Sequence, residues 1–418
     1  MTRAALVRKA GWNMVDQAIS SLTNAALSVV VARSVDATAF GGFAVAFTVF
    51  AVLVGISRAV STTPLLIRSA GAPRDAFRSA SAAALGTALS LGVLAGAGCV
   101  VAGLAFAGPA GSALLALGVV LPGLLVQDAW RQVFFAEGRP AAAALGDAVW
   151  AVVQVAAVGA LLLAGMDVVG MLVLAWGGAA MAAAAFGIRQ AGNRPRPTAT
   201  KGWLRDHRDL TTVLITEFGT QQGSMQGALL VIAAVGSLAT IGALRGVQVL
   251  LGVTNILLRA AVAFALPEFS RRRDRLTQRQ WVMGAVGLSA FVAGLGLLWG
   301  LLFLLAPDSL GRALMGDSWE GVSEVLLASV VGAALLASGI GPATMMRAMD
   351  RARLTLTLNA VQCPLAFVAG VTGVLLWGAQ GAVWGFAVAY AVMGPLWWIR
   401  LVREVGRFVS SRSPSVSS

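Results

Sequence analysis

The sequence predicts an all-α, polytopic membrane protein of about twelve transmembrane helices in two six-helix bundles. Three observations predict it. First, 58% of the 418 residues are hydrophobic and only 12% are charged, where a soluble domain carries about a quarter charged residues. Second, apolar runs follow one another almost without a break, each sufficient for a span of roughly 20 residues. Third, the charged residues inside those runs come back, with a glycine between them: Asp16, Gly41 and Arg58 return as Glu217, Gly242 and Arg259 at one ungapped offset of 201 residues. The runs do not alternate with period two, which argues against a β-barrel.

Taken in order, the first span covers 12–33. It follows the basic stretch MTRAALVRKAG but contains Asn13, Asp16 and Gln17, so it reads as a retained helix and not as a signal-peptide core. Spans two to six cover 40–66, 79–106, 111–131, 141–164 and 168–188, and spans seven to twelve cover 210–235, 240–266, 281–305, 321–344, 354–376 and 380–400. Gly and Ala are abundant within them, as expected where helices approach closely, and Gly92 and Gly96 form a GxxxG. The tryptophans near span ends, Trp130, Trp203, Trp397 and Trp398, read as an interfacial aromatic belt.

Alternate connections are basic, among them the one with Arg189, Arg194, Arg196, Lys201, Arg205 and Arg208, and the one with Arg271, Arg272, Arg273, Arg275 and Arg279. By the positive-inside rule this set is cytoplasmic, and both termini lie inside. The expected organisation is a bundle at 1–188, a cytoplasmic linker at 189–209 with Pro195 and Pro197, a second bundle at 210–400 and a cytoplasmic tail at 401–418. Both halves start on the same side, so the repeat is parallel and pseudo-two-fold. A second stretch supports it at an offset of 212: Ala136-Glu137-Gly138-Arg139 resembles Ala348-Met349-Asp350-Arg351, and Asp147 falls on Asn359. The formal net charge of +13 punctuates the spans and does not cluster on a soluble face, so nucleic acid is not an expected partner. Cys99 and Cys363 read as two buried thiols, and His207 as a solvated loop residue.

Charges inside apolar segments are rare and usually functional. On span one, Asn13, Gln17, Ser20 and Asn24 share a face, as Glu217, Gln221 and Ser224 do on span seven. Span eight carries Arg245, Gln248, Asn255 and Arg259 close to one face, with Gly252 between. With Ala37 and Leu238 as the turns of the two hairpins, Asp16 and Arg58 lie at one depth, and so do Glu217 and Arg259. They read either as a structural ion pair in each half or as gate residues, and both hold if the pairs break and re-form. Arg245 has Ala44 as its repeat counterpart. It either snorkels to the outer interface or binds an anion such as a phosphate, which guanidinium grips in bidentate fashion. Asp128 with Arg131, and Glu137 with Arg139, read as interfacial charges, while Asp147 and Gln154 either line a cavity or make helix-packing hydrogen bonds.

Residues 11–68 resemble the opening of the bacterial polysaccharide-export (O-antigen type) flippases of lipid-linked oligosaccharides, within the multidrug/oligosaccharidyl-lipid/polysaccharide exporter superfamily. The resemblance rests on Asp16-Gln17, Ser20-Ser21, Asn24, Ala32-Arg33-Ser34, Phe40-Gly41 and Ser57-Arg58-Ala59, and on Gly242-Ala243-Leu244-Arg245-Gly246 in the second half. It implies a multi-pass protein of the bacterial cytoplasmic (inner) membrane, with a central cavity between two bundles that opens alternately to either side. The cargo implied is a polyprenyl-diphosphate-linked sugar, moved from the cytoplasmic to the outer leaflet. Arg245 and Arg259, then Arg58, would meet the diphosphate and sugar, with Gln248, Asn255, Asn24 and Gln221 around them. Asp16 and Glu217 would be counter-charges or part of coupling to an H+ or Na+ gradient. No cofactor is implied; membrane lipids, and a polysaccharide polymerase or glycosyltransferases, are the expected partners.

Two other readings compete. A multidrug-type cation-coupled antiporter would favour a cavity of acids and aromatics, whereas the intramembrane charges here include several Arg residues. A membrane-embedded sugar polymerase or transferase would need a catalytic loop. The outer loop at 306–320 is short, and no nucleophile–base or metal-ligand spacing appears.

Overall fold

The computed structural model describes residues 3–410, apart from the side chains of 3–11, 13–16, 18 and 221. Among the described residues it is helical, with no strand. The chain divides into two compact units, Met1–Gly219 and Thr220–Ser418.

The first unit contains α1 (Arg3–Ser34), α2 (Ala37–Ser57), α3 (Thr63–Ser69), α4 (Arg74–Ala105), α5 (Gly108–Ala136), α6 (Pro140–Leu163), α7 (Val169–Ala191), α8 (Thr200–Asp206) and α9 (Arg208–Phe218). Helix α5 is its axis, packing against α2, α4, α6 and α7. The GxxxG of α4 is used in that packing. A Cβ on Gly96 would lie 2.5 Å from the Gly118 carbonyl oxygen, and one on Gly92 would lie 2.7 Å from Cα of Pro122. Small residues thus let the two backbones touch, which is how helices gain contact in lipid. A buried cluster of Leu65, Phe77, Leu85, Trp130, Phe134 and Trp203 fills one end.

The second unit contains α10 (Ser224–Val235), α11 (Leu238–Leu250), α12 (Gly252–Arg272), α13 (Gln278–Leu304), α14 (Asp308–Met315), α15 (Trp319–Ser338), α16 (Ile340–Ala348) and α17 (Ala352–Ser410). Trp377 and Gly378 have non-helical backbones, so α17 is two helices joined by a sharp turn, with Gly378 at φ 59°. The two limbs pack back to back through Gly373 against Gly381 and Gly385 against Ala369. Between α15 and α16 the helix stops at Gly339 and restarts. Ser289 of α13 tends the break: its hydroxyl donates to the Ser338 carbonyl (2.9 Å) and accepts from the Gly341 N–H (3.0 Å).

Nine helices among the described residues are long and apolar enough to cross a membrane, and the chain is a multi-pass membrane protein. The nine differ from the twelve expected spans at three places. Much of helix α1 lies outside the residues whose side chains are described, the seventh segment is split into short helices, and α17 joins two expected spans across its turn.

The internal repeat is written in hydrogen bonds. At the offset of 201, Val35 N–H donates to Val31 and Gly236 N–H to Ile232. Asp36 then caps α2 by accepting from Thr38 and Ala39, and Ser237 caps α11 by accepting from Thr240. Ser, Thr, Asp and Asn are the preferred caps because their oxygens take the orphan N–H groups of the first turn. At the offset of 212, Gly138 and Asp350 both take left-handed backbones, φ 69° and 64°. Arg139 N–H donates to Phe134 and Arg351 N–H to Met346, each at 2.8 Å. Gly138 N–H donates to Phe135 and Asp350 N–H to Arg347, each at 3.0 Å. This is the Schellman helix stop, made twice.

Candidate functional site

Arg58 is the first residue of a π turn, Arg58–Thr62, between α2 and α3, closed by the Thr63 N–H on the Arg58 carbonyl. Its carboxylate partner is Asp128 of α5. Nε donates to Oδ2 at 2.9 Å and Nη2 to Oδ1 at 2.5 Å, the two-pronged geometry in which guanidinium holds a carboxylate best. The Arg58 side chain is 40% exposed and that of Asp128 only 13%, so the guanidinium keeps an open edge while its partner is enclosed. The partner expected from the hairpin was Asp16, whose side chain lies outside the described residues.

Gln127 precedes Asp128, and successive helical residues diverge by about 100°, so Gln127 addresses a different helix. Its Nε2 donates to Oδ1 of the buried Asp147 on α6 at 2.9 Å, and Nε of Arg131 lies 3.4 Å from the other carboxylate oxygen. Arg131 is 13% exposed and sits over the Phe135 ring. Asp128 and Arg131 are therefore helix-bridging charges, a correction to their reading as interfacial ones. Asp147 makes a helix-packing hydrogen bond. It also lines, with Gln154, Trp150, Ser20, Thr23 and Asn24, a small slot of about 10 Å³ where α6 meets α1, the room of one water. Asn24 donates to the Ser20 carbonyl at 2.9 Å.

In the second unit Arg245 is half-buried and Gln248 exposed on α11, and Asn255 and Arg259 are exposed on α12. The helix is interrupted at Leu251, where the Thr254 N–H turns back to the Leu251 carbonyl at 3.0 Å. The expected continuous face is thus two shorter pieces, and only the Asn255–Arg259 pair has the i, i+4 spacing of one unbroken helix. Glu217 is exposed in the last turn of α9, within the first unit, and the side chain of Gln221 lies outside the described residues.

The expected aromatic belt is corrected in part: Trp130, Trp203 and Trp397 are buried. Trp397 donates to Gln362 at 2.7 Å. His207 is not a solvated residue but is half-buried and stacked on Trp203 at 4.0 Å between ring centroids. Cys99 is buried and Cys363 half-buried, and neither forms a disulfide.

Over 96% of this chain and 100% of that one, the structure is similar to an inward-facing multidrug resistance MATE family transporter of the MOP superfamily, with 14% identity and a TM-score of 0.65. Over 94% of this chain and 90% of that one, it is similar to the lipid II flippase MurJ in an inward closed conformation, with 10% identity and a TM-score of 0.64. An outward-facing MATE family transporter matches at 14% identity and a TM-score of 0.59, covering 97% and 96%. The fold is like that of these MATE transporters and of MurJ. No family model matches the sequence, and no curated protein matches it.

Within that fold, the sequence alone did not single out Asp128, Gln127 and Arg131 as site residues. The signal available was a Gln-Asp pair followed three residues later by Arg, set in an otherwise apolar span.

Proposed function

We propose that this protein is a flippase that moves a polyprenyl-diphosphate-linked oligosaccharide from the cytoplasmic to the outer leaflet of the bacterial inner membrane by alternating access. In this reading it has twelve spans and both termini in the cytoplasm. The observation that carries the proposal is the exposed polar set Gln248, Asn255 and Arg259, next to the half-buried Arg245, on a stretch, 238–266, that is otherwise largely apolar. Such groups face hydrocarbon only at a cost of roughly 3 kcal/mol for an Arg at mid-bilayer, and guanidinium is the side chain best suited to a diphosphate. In the first unit the corresponding cation is Arg58, with one edge open beside Asp128. Asn24 and Gln221 supply hydrogen bonds to the sugar, and Asp16 and Glu217 serve as counter-charges or in ion coupling.

The test is translocation of a labelled polyprenyl-diphosphate sugar in vesicles reconstituted with the protein. Arg245→Ala is expected to leave abundance and topology intact and to reduce translocation at least tenfold, the loss of one charge-assisted contact. Normal translocation in that variant removes Arg245 from the site. Transport of a cationic dye without lipid translocation favours the multidrug-type antiporter instead.

A further inference from the structure

We infer that Trp203, on α8 of the first unit, is a positioning residue for Arg58. Pro64 interrupts the helical ladder just after Arg58. In an α-helix the Val60 carbonyl would accept from the N–H four residues on, but that residue is Pro64, which has no N–H and whose ring crowds that carbonyl. The chain answers with a π turn over Arg58–Thr62, a common response to an interrupted helical ladder and one often found at functional sites. The donor that Pro64 lacks comes from elsewhere: the indole Nε1–H of Trp203 donates to the Val60 carbonyl at 3.0 Å.

Trp203 is held hard in place. It is 5% exposed and packs with Leu65, Leu85 and Trp130. The segment before it is strapped across α4 by several contacts. Asn193 donates to the Arg78 carbonyl (2.9 Å) and to Ser81 (3.0 Å), the Arg196 N–H donates to the Ala82 carbonyl (2.8 Å), and Thr200 meets Ser90 (3.1 Å). Gly86 lies directly against the Arg196 backbone, where a Cβ has no room. On the far side of Trp203, His207 stacks on the indole, and Arg68 at the end of α3 binds the Asp206 carbonyl (2.9 Å) and the Asp209 carboxylate. The segment therefore grips the α2–α3 element at two points, one inside the π turn and one beyond it.

That grip sets the direction of Arg58. Losing the extra residue of a π turn re-registers the helix by about 100°. With α3 fixed by Leu65 in the core and by Arg68, the change of register falls on the end of α2, and Arg58 then swings away from Asp128. Trp203 acts through the Val60 carbonyl, so its role is positional. Its consequence for transport rests on the proposal that Arg58 meets the diphosphate.

The experiment replaces Trp203 with Phe and, in parallel, with 3-benzothienylalanine, which keeps the indole shape and puts sulfur where the N–H was. Hydrogen exchange of residues 58–66 and thermal unfolding in detergent are measured in the native protein, in Asp128→Asn and in Pro64→Ala, where residue 64 again carries an N–H. Expected is at least a tenfold rise in exchange across 58–66 and a fall in Tm that is at least halved in both backgrounds, since coupled sites are non-additive. Unchanged exchange, or an equal fall in Tm in all three backgrounds, overturns the inference. The benzothienyl variant keeps the test decisive if Trp203→Phe does not fold. Lipid translocation is then followed separately. Altered exchange with normal translocation leaves Trp203 as a positioning residue and removes Arg58 from the cargo contact.

Discussion

The Arg58–Asp128 pair gives the most demanding test of the first unit's geometry. The perturbation is Asp128→Ala, with Arg58→Ala and the double variant completing a cycle. Two unit charges about 4 Å apart attract by roughly 4 kcal/mol at the effective dielectric of a partly buried site. The Arg58 side chain is 40% exposed and Asp128 only 13%, so the pair stands between an exposed bridge, worth up to about 1 kcal/mol, and a buried one, whose breakage costs about 3–5 kcal/mol. The expected coupling is about 2 kcal/mol, read as the difference between the sum of the single losses and the loss in the double variant. Unfolding in a mild detergent, followed by tryptophan fluorescence, measures it. Exchanging the two residues, Arg58→Asp with Asp128→Arg, should recover part of the loss. Additive single variants, or no recovery on exchange, would refute the assignment of Asp128 as the partner.

Three further outcomes follow from the packing and the turns. Gly96→Leu pushes a side chain into the Gly118 backbone and should cost about 2–3 kcal/mol or abolish folding, whereas Gly98→Leu, whose Cβ meets open space, should be tolerated; expression and detergent stability separate the two. Gly138→Val and Asp350→Val, at the two left-handed helix stops, should each lose about 1–2 kcal/mol in thermal unfolding, while Asp350→Gly is neutral or stabilising. The exposed Asp209 carboxyl is held below its ordinary range, first by the Leu210 N–H and then by Arg68. Its contribution is therefore present above the ordinary carboxylate range and is lost as pH falls through the depressed value. Asp209→Asn should lower stability slightly at neutral pH, with the difference vanishing in acid; a pH series of unfolding midpoints checks the sign.

The hairpin ends were legible because caps and stops are local. Asp36 and Ser237 lie one residue before Ala37 and Leu238, the turns that the repeat suggested, and the match of Gly138-Arg139 to Asp350-Arg351 marks helix stops whose bonds span five residues. The partner of Arg58 was not legible. Depth along a hairpin compares residues joined by one turn, while Asp128 is 70 residues away on another helix. The interruption at Leu251 carries no proline, so helical periodicity ran straight through it. The tryptophans were misread for a related reason: nearness to a span end says where a residue lies along the membrane normal, not whether a neighbouring segment folds over it.

Ser289 shows what a single hydroxyl does for a helix that stops and restarts. In oil a bare amide or carbonyl costs several kcal/mol, and this interruption would strand one of each. Because one oxygen on the adjacent helix serves both severed ends, the joint at Gly339 is insulated. A Ser289→Ala protein would carry two naked dipoles at a point the native chain crosses without penalty.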